Sequence, residues 1–370
     1  MDLKQVIHMK GGDGEEGYAN NSLLQRKVIS LTKSLRDEAI TNAYRNTKSE
    51  SLGIADLGCS YGANTFLVIA EAIKAIEKFC QEQKQKSPEY IVYLNDLPGN
   101  DFNSVFTSFD AFKKNLISEV KNQMGPLYFF GAPGSFFDKL FPNKSLHFVH
   151  SSYSLQFLSK VPDGVDNNKG NVYLAKTSPP NVFKAYLEQF KSDFSSFLKY
   201  RAEELVEGGH LVVTLIGRIG EDPVYKDCCS IWETMAMGLN DMVKQGIIKE
   251  ENVNTFNIPL YYPCQAEVKK EIDTQGSFSI NYLETSEVNL SELDNWDGSD
   301  FTSKKPESLK DGGYNMANCF RAVAEPMLMG HFGESVTKEA FNRFTKNAAD
   351  HMPKDKTKIT NITMSLTRKP

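Results

Sequence analysis

Two short stretches constrain the fold more than anything else in this chain: LGIADLGCSYGAN at residues 52–64 and IVYLNDLPGNDFN at residues 91–103. Leu52 to Leu57 is an apolar run that passes through Asp56 into the turn Gly58-Cys59-Ser60-Tyr61-Gly62. Ile91 to Leu94 is a second apolar run, and it stops at Asp96. A strand, a glycine turn, a helix and a second strand ending in an acid is how an α/β sheet holds a nucleoside. Glycines let backbone N–H groups approach the ligand, and the acid grips ribose hydroxyls. The spacing Asp-x-Gly-x-x-x-Gly differs from the dinucleotide form Gly-x-Gly-x-x-Gly and suits a nucleoside without a pyrophosphate, for which S-adenosylmethionine is the best fit. The competing reading is a bare structural turn, and Asp96 weighs against it.

Bulk properties exclude more than they assign. A chain of 370 residues can bury one large core, or one core with a substantial cap. The net charge is −5 and no Lys/Arg block exceeds a few residues, so neither nucleic acid nor an anionic membrane is an expected partner. The cysteines (Cys59, Cys80, Cys228, Cys229, Cys264 and Cys319) show no C-x-x-C spacing. That argues against a zinc site or a disulfide framework and for reduced thiols in the cytosol. There is no basic-then-apolar N-terminus and no apolar run of about 18 residues, so a cytoplasmic chain without a membrane span is expected. The 15 Tyr and 24 Phe leave aromatics for a closed apolar pocket.

Periodicity gives the coarse organisation. Residues 20–45 read as an amphipathic helix with Leu24, Val28, Leu31 and Leu35 on one face. A helix from Thr65 to Glu82 turns Phe66, Ile69, Ile73 and Ile76 inward, and Gln81 to Pro88 reads as a solvated loop before the strand at 91–95. Further strands are expected at 127–131, 146–150 and, after a Gly-Gly turn, 210–216, with helices at 180–205 and 232–243. Residues 278–284 and 359–367 alternate apolar and polar side chains, as antiparallel strands do. The fold class is therefore α/β: a seven-stranded, mostly parallel Rossmann-like sheet with an antiparallel edge and a helical cap. Residues 1–50 are expected to close the active site and 51–216 to form the nucleoside-binding core. Residues 217–275 and 290–350 read as cap segments, with core strands at 276–289 and 351–370.

The chain resembles the SABATH family of plant methyltransferases over essentially its whole length. The matching segments are MKGGDGEEGYANNSLLQRKV, ADLGCSYGANTF, YLNDLPGNDFNSVF, GAPGSFFDKLFPNKSLHFVHSSYSLQFLSKVP, NKGNVY, FNIP and FRAVAEP. HMKGG, SSYSL, the stretch at 221–233 and GGYN bring it nearest to the salicylate/benzoate carboxyl methyltransferases. The resemblance implies S-adenosylmethionine as cofactor, S-adenosylhomocysteine as product, and a homodimer. It also implies methylation of the carboxylate of a small aromatic acid. N-methylation of a xanthine, or O-methylation of a different small acid, stays open as the alternative.

Carried over residue by residue, the cofactor contacts fall on Tyr18, Ser22, Cys59, Asn64, Asp96, Leu97, Ser135 and Phe136. Asp96 would take the ribose hydroxyls. Leu97 and Phe136 would sandwich the adenine and Ser135 would meet its amino edge. Ser22, Asn64 and the Cys59 backbone would face the methionine end. Without the resemblance, Leu97 and Phe136 read as core, Asn64 as a helix N-cap and Cys59 as a small buried hydrophobe.

On the acid side, the resemblance implies Gln25, Tyr153, Ile216, Ile231, Trp232, Phe320 and Phe341. The family grips the carboxylate with Gln25 and with an indole N–H two residues after SSYSL. That position is Phe157 here, and phenylalanine donates nothing. Either the neighbouring Gln156 supplies the donor, or the pocket is reshaped for another substrate. Phe320, where the near relatives carry methionine, fits reshaping. His147 and His150 read as strand-end packing residues, and Cys228 and Cys229 as packing residues. Positioning by Gln25, Tyr153 and Gln156 is expected in place of acid–base catalysis, because an aromatic acid is already ionised at neutral pH. A peripheral Mg²⁺ site is a weak candidate at Asn168, Asn254, Phe256 and Asn257. Neutral oxygens bind that ion weakly.

Overall fold

The computed structural model describes residues 9, 17–18, 21–120, 124–223, 226–289, 316–351 and 358–370. Its elements run α1 (Leu23–Leu31), α2 (Lys33–Thr47), β1 (Ser51–Leu57), α3 (Ala63–Gln83), β2 (Glu89–Asp96), α4 (Phe102–Glu119), β3 (Leu127–Pro133), β4 (Leu146–Ser152), α5 (Pro180–Glu204) and β5 (Leu205–Ile216). They continue with α6 (Lys226–Lys244), α7 (Glu250–Asn254), α8 (Gln265–Gln275), β6 (Phe278–Asn289), α9 (Met316–Phe332), α10 (Glu334–His351) and β7 (Lys358–Arg368).

One seven-stranded sheet organises them in the order β3-β2-β1-β4-β5-β7-β6. The pairs β1–β2, β1–β4, β2–β3 and β4–β5 are parallel, whereas β7 runs antiparallel to both β5 and β6. The chain moves outward from β1 to β3 and then returns to lay β4 on the other side of β1. That reversal opens a crevice beyond the carboxyl ends of β1 and β4, the place where open α/β sheets bind ligands. The central strands are buried on both faces, and β4 and β7 read as nearly unbroken buried runs.

Three local details differ from the sequence reading. The single helix expected at 20–45 is two helices that break at Thr32. The Thr32 hydroxyl donates to the carbonyls of Val28 (3.1 Å) and Ile29 (3.2 Å), which competes with helix propagation. Arg36 then fastens the break by donating to Thr32 Oγ1 (2.6 Å) and pairing with buried Glu71. Second, Gly208-Gly209 is not a turn before a strand. It lies inside β5, where the register with β4 shifts between Leu146 and Phe148, and Gly208 takes φ +77° at that bulge. Third, the helix α4 was not expected. Asp101 caps it, its carboxylate accepting from the Ser104 N–H at 3.0 Å. No described helix is long and apolar enough to cross a membrane.

Candidate functional site

The crevice at the reversal holds a cavity of about 340 Å³. Its walls come from the β1 turn (Gly58, Ser60), the β2 end (Asp96, Leu97) and the β3–β4 loop (Ser135, Phe136). The segment after β4 adds Tyr153 and Phe157, and Met9 and Tyr18 lie across it from the N-terminal segment.

The β1 turn hangs from the end of β2. The N–H groups of Gly58 and Cys59 both donate to the Asn95 carbonyl at 2.9 Å, and Asn100 Nδ2 donates to the Ser60 carbonyl at 2.9 Å. Gly58 has φ +72°, and a Cβ there would sit 2.1 Å from Ser154 Oγ, so only glycine fits. Ser60 follows in the left-handed region at φ +52° although it is not glycine. Strain of this kind persists only where surrounding bonds impose it. Here the imposing bond is to Asp96, whose Oδ2 accepts the Ser60 N–H at 2.7 Å while Oδ1 accepts the Leu97 N–H at 2.7 Å. Asp96 is thus fixed in orientation at the cavity wall.

The opposite wall is held from α5. Arg201, fully buried, donates to the carbonyls of Phe136 (2.8 Å) and Asp138 (3.0 Å), and its partner Glu204 accepts from the N–H groups of Leu140 and Phe141. Asn95 Nδ2 adds bonds to the carbonyls of Ala132 (2.7 Å) and Gly134 (3.0 Å). Neither Arg201 nor Asn95 was singled out from sequence. The signal for Asn95 was its place beside Asp96 at a strand end; Arg201 carried none, because the loop carbonyls it holds lie over 60 residues away.

Electrostatics point to a cationic ligand. Asp96, Asp138 and Asp193 line the cavity, and no Lys, Arg or His does among the described residues. Burial holds the Asp193 carboxyl above its usual range, against donors from Ser159 and Gln189.

Several anticipated cofactor residues stand elsewhere. Asn64 Nδ2 donates to the carbonyl and hydroxyl of Ser22, both at 3.0 Å, while its Oδ1 accepts from Arg26. Asn64 and Ser22 therefore join α3 to the start of α1 and do not line the cavity. Gly62, not Asn64, is the N-cap of α3. The Cys59 N–H is used by Asn95, which removes the expected backbone contact from Cys59, and burial pushes its thiol well above the usual range.

On the acid side, Tyr153 and Phe157 line the cavity. Tyr153 has φ +56°, is fixed by its N–H donating to the Thr214 carbonyl (2.7 Å), and donates a hydrogen bond from its hydroxyl to Asn361 Oδ1. Leu24 and Val28 of α1, with Ile216, pack against it. Gln25 shares that helix, and its Oε1 is buried without a partner. The expectation that Gln156 replaces the lost indole donor fails on geometry. Its Nε2 donates to the Tyr153 carbonyl at 2.7 Å, so only its unpartnered Oε1, an acceptor, is left. Trp232, Phe320 and Phe341 do not line the cavity. They form an aromatic cluster with ring centroids 4.7 Å (Trp232–Phe320) and 6.1 Å (Phe320–Phe341) apart, and the Trp232 N–H donates to Tyr262. Ile231 packs into the same core.

Two other groups behave as packing. His147 Nδ1 accepts from the Gly53 N–H at 3.0 Å. His150 Nδ1 lies 2.7 Å from Asp56 Oδ1, and burial lowers its basicity. The side chains of Cys228 and Cys229 lie outside the described residues.

The Mg²⁺ candidates do not fit an ion. Asn168 Nδ2 donates to Asn257 Oδ1 (2.9 Å), Ser178 Oγ donates to Asn168 Oδ1 (2.7 Å), and Gly170 N donates to Asn254 Oδ1 (2.8 Å). Each amide oxygen already serves a neutral donor. Phe256 contributes an aromatic contact to Phe332. No cluster of three His, Cys, Asp or Glu side chains suited to a metal exists among the described residues.

Comparison with known proteins adds an independent line. Residues 4–369 match a family described as SAM dependent carboxyl methyltransferase. Over 368 residues the chain is 50% identical to S-adenosyl-L-methionine:benzoic acid/salicylic acid carboxyl methyltransferase 3 of Petunia hybrida, covering 100% of this chain and 99% of that protein. It is 46% identical over 372 residues to salicylate carboxymethyltransferase of Clarkia breweri, with 100% and 99% covered. Among solved structures, loganic acid methyltransferase with SAH superposes with a TM-score of 0.81 at 30% identity, covering 98% of this chain and 99% of that one.

Proposed function

The chain belongs to the SAM dependent carboxyl methyltransferases, the SABATH family, and from that premise we propose that it esterifies the carboxylate of a small aromatic acid of the salicylate/benzoate type. The observation that carries the reading is the cavity itself. It sits at the sheet's reversal, Asp96 is oriented by two backbone N–H groups, and its charged lining is wholly acidic.

S-adenosylmethionine, when bound, supplies an electrophilic methyl group on a sulfonium. The residues present fit it. Asp96 would accept from the ribose hydroxyls, Leu97 and Phe136 would enclose the adenine, Ser135 would meet its edge, and the acidic lining suits the positive charge. Tyr18 and Met9 would cover the ligand and exclude water. Ser22 and Asn64 act one step back, by fixing α1 to α3. For the acid, Tyr153 and Phe157 would form the near wall, with Gln25 reaching in from α1. Ile216 supports Tyr153, while Ile231, Trp232, Phe320 and Phe341 support the far end from the core. We read α6, α9 and α10 as the cap, because α10 packs on both α6 and α9.

No residue need act as a base, since the carboxylate is already the nucleophile. The chain's task is to hold it in line and dry, and well-oriented systems gain about 7–11 kcal/mol this way. The described cysteines Cys59, Cys80, Cys264 and Cys319 are buried thiols outside any disulfide, which supports a reducing, cytosolic setting. Phe157 with the engaged Gln156 amide favours a second reading, N-methylation of a neutral xanthine, because Gln156 does not replace the indole donor.

Methyl transfer from labelled S-adenosylmethionine to salicylate, benzoate, anthranilate, jasmonate and xanthines separates these. A base-labile product is an ester and supports the proposal. A base-stable product formed only from a xanthine overturns it.

A further inference from the structure

Asn361 breaks a local rule. It lies inside β7, a central strand buried along nearly its whole length, where asparagine is disfavoured. It pairs with Ile216 of β5 on one side and Ser286 of β6 on the other. Its Oδ1 accepts a hydrogen bond from the Tyr153 hydroxyl, and its Nδ2 is buried without a partner. A buried polar group left half-satisfied in a strand interior is costly and marks a functional constraint.

Tyr153 is also constrained at its backbone. It holds the left-handed conformation directly after β4, pinned by the bond to Thr214. The residue is therefore fixed at both ends, at its backbone by β5 and at its hydroxyl by β7, and it lies in the cavity wall. With its proton committed to Asn361, the Tyr153 hydroxyl has only lone pairs left for the cavity. It can accept a hydrogen bond there and cannot donate one.

Resting on the carboxyl-methyltransferase reading, we propose that Asn361 is a positioning residue that sets the polarity of Tyr153, so that the site selects an acid carrying an O–H or N–H donor beside its carboxylate. The bare aromatic acid leaves the Tyr153 lone pairs unmatched. A donor in the ortho position meets them. Phe157 removes one donor to the carboxylate, and the Tyr153–Asn361 pair compensates by reading the ring substituent.

The test is the ratio of kcat/KM for salicylate to that for benzoate, measured on one preparation of each variant, so that the folded fraction cancels. Wild type, Asn361→Leu, Tyr153→Phe and the double variant are compared, with KM and kcat resolved. Asn361→Leu should lower the ratio by about tenfold, chiefly through the KM for salicylate. Tyr153→Phe, which leaves β7 untouched, should lower it equally, and the double variant no further. An unchanged ratio in either single variant, or multiplying losses in the double, overturns the inference. If wild type esterifies neither acid, the functional reading itself fails and this inference falls with it.

Discussion

The two halves of the cavity, the one proposed to hold the cofactor and the one proposed to hold the acid, are built by different means. The cofactor half is a product of backbone: Asn95 holds Gly58 and Cys59, Asp96 holds Ser60 and Leu97, and Arg201 and Asn95 hold the facing loop by its carbonyls. Two of its buried polar atoms, Ser60 Oγ and Asn95 Oδ1, have no partner. The acid half is a product of side chains brought from distant segments. Tyr153 and Phe157 reach the wall from beyond β4, and Tyr153 is backed by Leu24 and Val28 of α1 and by Asn361 of β7. It also keeps several buried polar atoms without partners, at Gln25, Ser152, Gln156 and Asn361. The contrast teaches where specificity can change. A backbone-built site is rigid to substitution, whereas a side-chain-built site can change its ligand by one residue, and Phe157 is the position where that is tested.

The sharpest break of this contrast is Asp96→Ala. Removing a carboxylate that organises two N–H groups, and that is proposed to take the ribose hydroxyls, should weaken S-adenosylhomocysteine binding by at least about a hundredfold, read by calorimetry. Next is Gly58→Ala. The methyl group would meet Ser154 Oγ in a left-handed backbone, and the protein should lose about 1–3 kcal/mol in denaturant unfolding along with cofactor affinity. A smaller change is expected from Phe157→Trp. Restoring an indole donor should raise kcat/KM for benzoate by about tenfold and leave the cofactor half unaffected. A total loss of activity on that change would show that a bulkier ligand needs the space.

The smallest effect concerns acid stability and involves neither half. Burial lowers the pKa of His210 to about 4. The unfolded imidazole, near its ordinary value of about 6.5, binds a proton that the folded one refuses. Stability is therefore full above pH ~6.5 and falls as pH drops toward 4. His147 and His150 are shifted in the same direction. His210→Gln should flatten the melting temperature against pH across that window.

How far the site was legible from sequence follows the same division. The β1 turn, α3 and Asp96 could be read because their signals lie within about forty residues and follow backbone rules. The helix α4 was overlooked although Asp101 and Ser104 carried an N-cap signal in plain sequence. Gly208-Gly209 looked like a turn because glycine pairs mark turns and bulges alike. Nothing local could have announced Asn361, since its partner Tyr153 lies 208 residues away. Arg201 belongs to the same class: an arginine on a helix reads as surface until the loop it holds is seen. The aromatic residues Trp232, Phe320 and Phe341 were placed at the acid by resemblance, and the fold sets them in a core cluster off the cavity wall.

The most direct test of the division is calorimetric titration of S-adenosylhomocysteine into wild type, Asp96→Ala and Phe157→Trp side by side. Independent halves predict a loss of at least about a hundredfold for Asp96→Ala and a change within about threefold for Phe157→Trp, although both residues line one cavity. Comparable losses in both variants would contradict the account and make the cavity a single coupled site.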